Sequence, residues 1–287
     1  MIAFGVVLAL AAGGPVAAAQ PDTRALTYDG TLGLALFGGA IVSVALPAAV
    51  YKAPAGCRWC DAGNLNAIDR WARKARWDAP CRAGNLSDAT LVVASAVALL
   101  PMSRESSGHD WLVNAGTVAD SVAVTVMLTQ AVKYTVRRER PAPTTCHPGR
   151  ANEPDRNLSF FSGHSAIAFA MVASAQETSR RRGRPRNGWM WAGAGAAAAT
   201  SYLRVAGDRH HLIDVVTGAG VGYAVGRWLP RHLLRPATAK SNMSGSRTTT
   251  AASPSAFAYS RLVGSDRNVL VQVGKGSGRS VQFGIRF

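Results

Sequence analysis

The chain has 287 residues, enough for one ordinary catalytic domain with appendages and too few for a long repeat array. Only 17% of its residues are charged while 48% are of the AVILMFWYC set, which excludes a disordered chain and favours contact with a membrane. A formal charge of +16, from 32 Lys and Arg against 16 Asp and Glu, suits nucleic acid, anionic lipid or an anionic substrate.

The first 20 residues, MIAFGVVLALAAGGPVAAAQ, form an uncharged apolar run closing on Ala17, Ala18 and Ala19. Residues 1–19 therefore read as a signal peptide cleaved before Gln20, or as an uncleaved anchor, since the usual initial Lys or Arg is missing. From Thr31 to Tyr51 there are 21 residues without a charge, enough for a helix across the roughly 30 Å hydrocarbon layer. Five more apolar stretches follow, at residues 89–103, 111–132 (with Asp120 inside), 157–176, 187–203 and 211–226. The pattern predicts an all-α, six-helix bundle embedded in a membrane. Its second and last stretches are short for a crossing, and the fourth and fifth are rich in Ala, Gly and Ser, which lets helices approach closely in a bilayer. A soluble Ala-rich bundle would look the same in a short window.

The densest positive run, Arg180 to Arg186 (RRRGRPR), lies between the fourth and fifth helices, so the positive-inside rule puts it in the cytoplasm. Loops after the first, third and fifth helices then face the exterior, which in a bacterial cell places the core in the inner membrane and those loops in the periplasm. All four cysteines agree: Cys57, Cys60 and Cys81 follow the first helix and Cys146 follows the third. They permit three pairings, and structural disulfides are favoured over a closed metal site, because Cys57 to Cys60 is the one CxxC and His147 the one histidine in the loop after the third helix. One tension stands: a cleaved leader leaves the new N-terminus outside, whereas this orientation starts the first helix inside.

After Pro236 the sequence ATAKSNMSGSRTTTAASPS is a flexible linker by composition. Beyond it VLVQV, GKGSG and SVQFGIRF form a hairpin pattern, with Val281, Phe283, Ile285 and Phe287 alternating toward one face. The expected organisation is thus a leader over 1–19, a helical core over 28–235 and a linker with a small hairpin over 236–287.

Three polar constellations interrupt the apolar pattern, each at a helix end. Lys133 and Arg140-Pro141 stand seven apart in KYTVRRERP, near one face of a helix end, so both cations can address one anion. Ser162-Gly163-His164 opens the fourth helix, where free backbone amides carry partial positive charge and Gly163 lets an oxyanion approach the main chain. Arg204, His210 and Asp214 lie in LRVAGDRHHLID, with histidine and aspartate one helical turn apart, so the carboxylate can hold one imidazole nitrogen and leave the other as nucleophile. His211, adjacent to His210 and three residues from Asp214, is set aside on spacing together with the resemblance given next.

Together Lys133-x6-Arg140-Pro141, Ser162-Gly163-His164 and Arg204-x5-His210-x3-Asp214 resemble the tripartite signature of the type 2 phosphatidic acid phosphatase and vanadium haloperoxidase superfamily, over about residues 30 to 230. Phe161 stands where the family usually has Pro, and Leu203 where it usually has Ser. The resemblance implies that Lys133, Arg140, Ser162, Gly163 and Arg204 bind the phosphoryl group. It implies His210 as nucleophile, Asp214 as its support and His164 as general acid and base, with no metal and no cofactor. The expected substrate is a phosphorylated lipid met in the bilayer, such as a phosphatidate, an isoprenyl diphosphate or a lipid A phosphate. A haloperoxidase holding vanadate is the alternative enzyme. A non-enzymatic lipid- or nucleic-acid-binding protein is the remaining reading, and no aromatic-interleaved basic stripe supports nucleic acid.

Overall fold

The computed structural model describes residues 26–50, 56–60, 65–104, 108–141, 154–184 and 188–236. The leader, Cys146, and the linker and hairpin beyond Pro236 lie outside the described residues. Within them the chain is all-α apart from one short strand pair. Six long helices, α1 (Gly30–Val50), α3 (Pro80–Arg104), α4 (Gly108–Val136), α5 (Gly163–Arg181), α6 (Gly188–Ala206) and α7 (Leu212–Leu233), are joined by one short helix, α2 (Ala67–Ala72). Strands β1 (Leu26–Tyr28) and β2 (Leu234–Pro236) pair antiparallel, Leu26 opposite Pro236, so the chain enters α1 and leaves α7 at the same end of the bundle. That is the geometry of an even number of passes.

Two helix limits correct the sequence reading. The second long helix starts at Pro80 rather than residue 89, because Arg82, Asn85 and Asp88 belong to its first turns, and polar residues there read as loop in an apolar pattern. The fourth starts at Gly163 rather than residue 157, and the non-helical 158–162 enters the site described below. The second and last helices, at 25 and 22 residues, are long enough to span.

The closest packing is of α5 against α7. Gly218, Gly222 and Gly226 recur every fourth residue on α7, and a methyl on any of them would overlap the α5 backbone at Ser162, Ala166 or Ala170. Small residues at this spacing let two helix backbones meet, fixing the start of α5 beside that of α7. Elsewhere Leu91, Leu99, Val118, Val122, Met171 and Val172 fill the core between α3, α4 and α5. Thr117, Ser121, Thr125 and Thr129 line α4 at four-residue spacing, and each donates its hydroxyl proton to the carbonyl one turn back. Ser121 also bonds Ser174 across to α5 at 3.0 Å, so these buried hydroxyls are satisfied without water. Asp120, the charge inside the third apolar stretch, accepts the Tyr28 hydroxyl at 2.6 Å.

Two helices are long and apolar enough to cross a membrane, over Pro80–Met102 and Gly108–Val136, and α1 carries a shorter apolar run, Gly30–Leu46. Large apolar side chains face outward along the bundle, among them Leu34, Ile41, Val93, Trp191 and Tyr223. Exposed tryptophans sit at both ends, Trp71 and Trp77 at one, Trp189, Trp191 and Trp228 at the other. An apolar outside with aromatic residues at each rim is what a bilayer-facing surface requires.

Candidate active site

All three sequence constellations meet at one end, where α4 and α6 finish and α5 and α7 begin. Motif two is tied to motif three through the backbone, the Ser162 amide donating to the Asp214 carbonyl at 3.0 Å. The reversal between α6 and α7 is tight: Gly207 lies against the Gly84 backbone with no room for a side chain, and Asp208 adopts φ 55°. Aspartate is among the few residues that tolerate this left-handed conformation. Arg73 and Arg76 hold the Asp208 carboxylate at 3.5 and 3.3 Å.

His210 is 2% exposed and precedes α7 by two residues. Its Nδ1 lies 2.9 Å from the Ser159 carbonyl and 3.7 Å from Asp214 Oδ2. Asp214 lies on the Nδ1 side of the ring as expected, but the nearer partner is a main-chain oxygen. A carbonyl only accepts, so Nδ1 carries the proton and Nε2 keeps its lone pair. That Nε2 faces Arg140 Nη1 at 3.4 Å. Burial, with the positive charges of Arg140, Arg204 and Lys133 around it, holds His210 well below the usual histidine range. It is a neutral imidazole aimed at Arg140, and the charges of Arg204 and Lys133 are near enough to act on it.

Arg140 is anchored by three bonds, Nη1 donating to the Arg209 carbonyl at 2.8 Å, Nε to the Asp155 carbonyl at 2.9 Å and Nη2 to Asp155 Oδ2 at 2.6 Å. Burial alone would raise the Asp155 carboxyl, but Arg140 and Lys133 hold it down to about 2. In this state Asp155 is the anion resting on the cations expected to hold phosphate. Arg204 reaches Ser87 Oγ at 3.2 Å and Asp88 Oδ1 at 3.8 Å. Ser162 is fully buried and makes no side-chain cap; its Oγ accepts from Ser165 Oγ at 3.2 Å, so helix capping is not its role. Gly163 is the first residue of α5, with the Thr129 methyl bordering the space where its side chain would be. His211, set aside on spacing and resemblance, is the N-cap of α7 and shares a capping box with Asp214.

Besides Asp155, four residues of the site lay outside the sequence reading. Asp88 accepts from His164 Nε2 at 2.7 Å, forming a carboxylate-imidazole pair at the mouth of the site. Ser159 holds His210 through its carbonyl and donates its hydroxyl proton to Asp214 Oδ2 at 2.6 Å. Arg138, fully buried, bridges Asp214 Oδ1 at 2.6 Å and Asp69 Oδ2 at 2.7 Å. Asp69 also takes the Ile213 amide at the start of α7. Burial pushes its carboxyl up, but Arg138, that amide and Asn66 bring it below the usual carboxylate range. Trp59 lies over the Arg138 guanidinium at 4.0 Å and is held by the Cys57–Cys60 disulfide loop, whose backbone bridges to Arg138. Cys81 is disulfide-bonded as well, in keeping with structural disulfides. Among the described residues no group of His, Cys, Asp and Glu is arranged to hold a metal ion.

A neutral buried imidazole facing fixed cations, with a second imidazole paired to a carboxylate, has the charges and lone pair that phosphoryl transfer needs. Residues 115–235 match the model of the PAP2 superfamily. The matched segment takes in all three constellations and supports membership of that superfamily, whose members include phosphatases. No curated protein and no solved structure matches the chain.

Proposed function

We propose that the chain is a metal-independent phosphatase of membrane lipid phosphates, acting through a phosphohistidine on His210. The observation that carries this reading is the lone pair of His210 Nε2, directed at Arg140 among the charges of Lys133 and Arg204. Nε2 attacks phosphorus as the ester P–O bond breaks, and His164 gives a proton to the departing alkoxide. Water then attacks the phosphorus and yields its proton to His164, while the P–N electron pair returns to His210. Lys133, Arg140, Arg204, Ser162 and the Gly163 amide hold the phosphoryl oxygens throughout, the work a metal does elsewhere. Asp155 leaves Arg140 as phosphate arrives.

The lipid class follows from position. The site opens at the end of helices whose outer faces are apolar, so a head group can enter while its hydrocarbon chain stays in the bilayer. On the orientation from Arg180 to Arg186 this is the exterior face of an inner membrane. The test is free phosphate released by detergent-purified protein from phosphatidate, isoprenyl diphosphate, lipid A and soluble phosphates, with chelator and with orthovanadate. Lipid turnover that survives the chelator and is blocked by vanadate, a mimic of the five-coordinate state, is expected. No phosphate from any substrate, or peroxide-dependent halide oxidation in its place, would overturn the reading.

Asp88 supplies a second test. It touches His164 and is expected to steady it for proton transfer. Asp88→Asn is expected to lower kcat about tenfold on an alkyl phosphate with KM little changed, within the range for general acid catalysis. The loss should shrink on p-nitrophenyl phosphate, whose leaving group needs no proton. Equal losses on both substrates would assign Asp88 to binding instead.

A further inference from the structure

At the end of the bundle away from the site, Glu177 on α5 is fully buried and gathers three arginines. Arg180 Nη2 reaches its Oε1 at 2.6 Å, Arg231 Nε reaches the same oxygen at 3.0 Å, and Arg227 Nη1 reaches Oε2 at 3.1 Å. Three guanidiniums on one carboxylate leave a surplus of two positive charges. The side chains of Arg180 and Arg231 are 57% and 43% exposed, with N–H groups still turned to the surroundings. Next to them Arg181 donates Nη2 to the Leu234 carbonyl, and its buried Nε has no hydrogen-bond partner among the described residues. A fully buried anion is a poor reason for so many cations, since one bidentate arginine would neutralise it.

The surface leading to this cluster is apolar and continuous. Val216, Gly220, Tyr223, Ala224 and Trp228 recur at three- and four-residue spacing along α7, and all are exposed. Nothing approaches Gly220, so the stripe is a shallow furrow between Val216 and Tyr223. It ends at Trp228, which packs on His232 with ring centroids 4.1 Å apart, and then at Arg227 and Arg231. Hydrocarbon-sized relief, an interfacial tryptophan and surplus guanidinium follow one another in the order of an acyl chain, a glycerol level and a phosphate.

We propose that Arg180, Arg227 and Arg231 form a binding site for the phosphodiester head group of an anionic glycerophospholipid, its acyl chain lying along the Val216 to Trp228 stripe. Glu177 spaces the three guanidiniums and limits the affinity, so the lipid is held reversibly. The site is separate from the catalytic pocket, and its ligand is a diester rather than a terminal phosphate.

Full-length protein in neutral detergent is titrated with short-chain phosphatidylglycerol, short-chain phosphatidylcholine and inorganic phosphate, and thermal stability is read. The signal is the part of each shift that Arg227→Gln/Arg231→Gln removes, which sets aside any anion bound in the catalytic pocket. Phosphatidylglycerol alone is expected to give that signal, weakened about tenfold in Arg231→Gln, as for loss of one charge-assisted contact. Glu177→Gln is expected to tighten phosphatidylglycerol, because it removes the competing anion; a purely structural ion cluster would lose stability and gain no affinity. An unchanged shift in the arginine variants, an equal signal from phosphatidylcholine or inorganic phosphate, or a dimer in place of lipid binding would overturn the proposal. None of these outcomes bears on phosphate release, so the phosphatase reading stands or falls separately.

Discussion

His210→Ala is expected to lose phosphate release by about 10³-fold or more, since without the nucleophile only positioning and charge stabilisation remain. Two measurements separate lost chemistry from lost structure. The first is the melting temperature: His210 is 2% exposed and fills a small volume beside Ser159, so a moderate drop is expected and unfolding is not. The second is covalent trapping. Wild-type protein quenched during turnover of a ³²P-labelled substrate should carry an acid-labile label, and His210→Ala should carry none. A well-folded variant releasing phosphate at near wild-type rate would remove His210 from the reaction.

The same residue sets a pH dependence whose sign follows from its surroundings. A neutral imidazole is required for attack, and burial with the cations around it puts its protonation well below the usual histidine range. In the free protein the loss of kcat/KM caused by protonating His210 should therefore begin only well below pH about 6.5. The acid His164, held down to about 4 by burial and the Arg204 charge, gains its proton over the same acid range. The second ionisation of a phosphate monoester, near about 6, has to be divided out of the substrate before the comparison. Substitution of Arg140 by Gln removes the largest of those neighbouring charges and should move the acid limb upward. A limb already at about 6.5 in the wild type would mean that the cations do not act on His210.

How much of this was legible beforehand depends on where each residue sits in the chain. Lys133, Arg140, His164, Arg204 and His210 were visible because each marks a helix end within a short spacing. Asp214 was visible for the same reason, though its share of the ring turned out smaller than that of the Ser159 carbonyl. A main-chain acceptor has no signature in residue type. Asp69 and Asp88 precede the matched segment and reach the site only when α2 and α3 fold against it, so no local pattern announces them. Arg138 was in plain view as one of the six spacers between Lys133 and Arg140, and its burial could be known only once Trp59 was laid over it. The long helices were readable from apolar runs, but the short α2 and the start of α3 were not, because Asp88, polar for the sake of the site, looked like loop.

Arg138→Met is expected to be the most damaging change outside the residues that touch phosphate. The wild-type guanidinium and both carboxylates it bridges are fully buried, so the variant leaves Asp69 and Asp214 charged, adjacent and without their shared cation. Removing one partner from a buried ion cluster costs about 3–5 kcal/mol, a large part of the stability of an ordinary domain. The melting temperature in detergent should fall accordingly, and Asp69→Asn added to Arg138→Met should recover part of the loss, because one of the two stranded charges is gone. Arg138→Lys keeps the charge, but a single ammonium cannot reproduce the fork that reaches Asp214 with one nitrogen and Asp69 with another. This variant should fold yet turn over about tenfold or more slowly with KM little changed, since a displaced Asp214 leaves Ser159 and His210 less well fixed while the phosphate-binding cations remain. A wild-type melt for Arg138→Met, or full kcat in Arg138→Lys, would show that the bridge between Asp69 and Asp214 neither holds the fold nor sets the nucleophile.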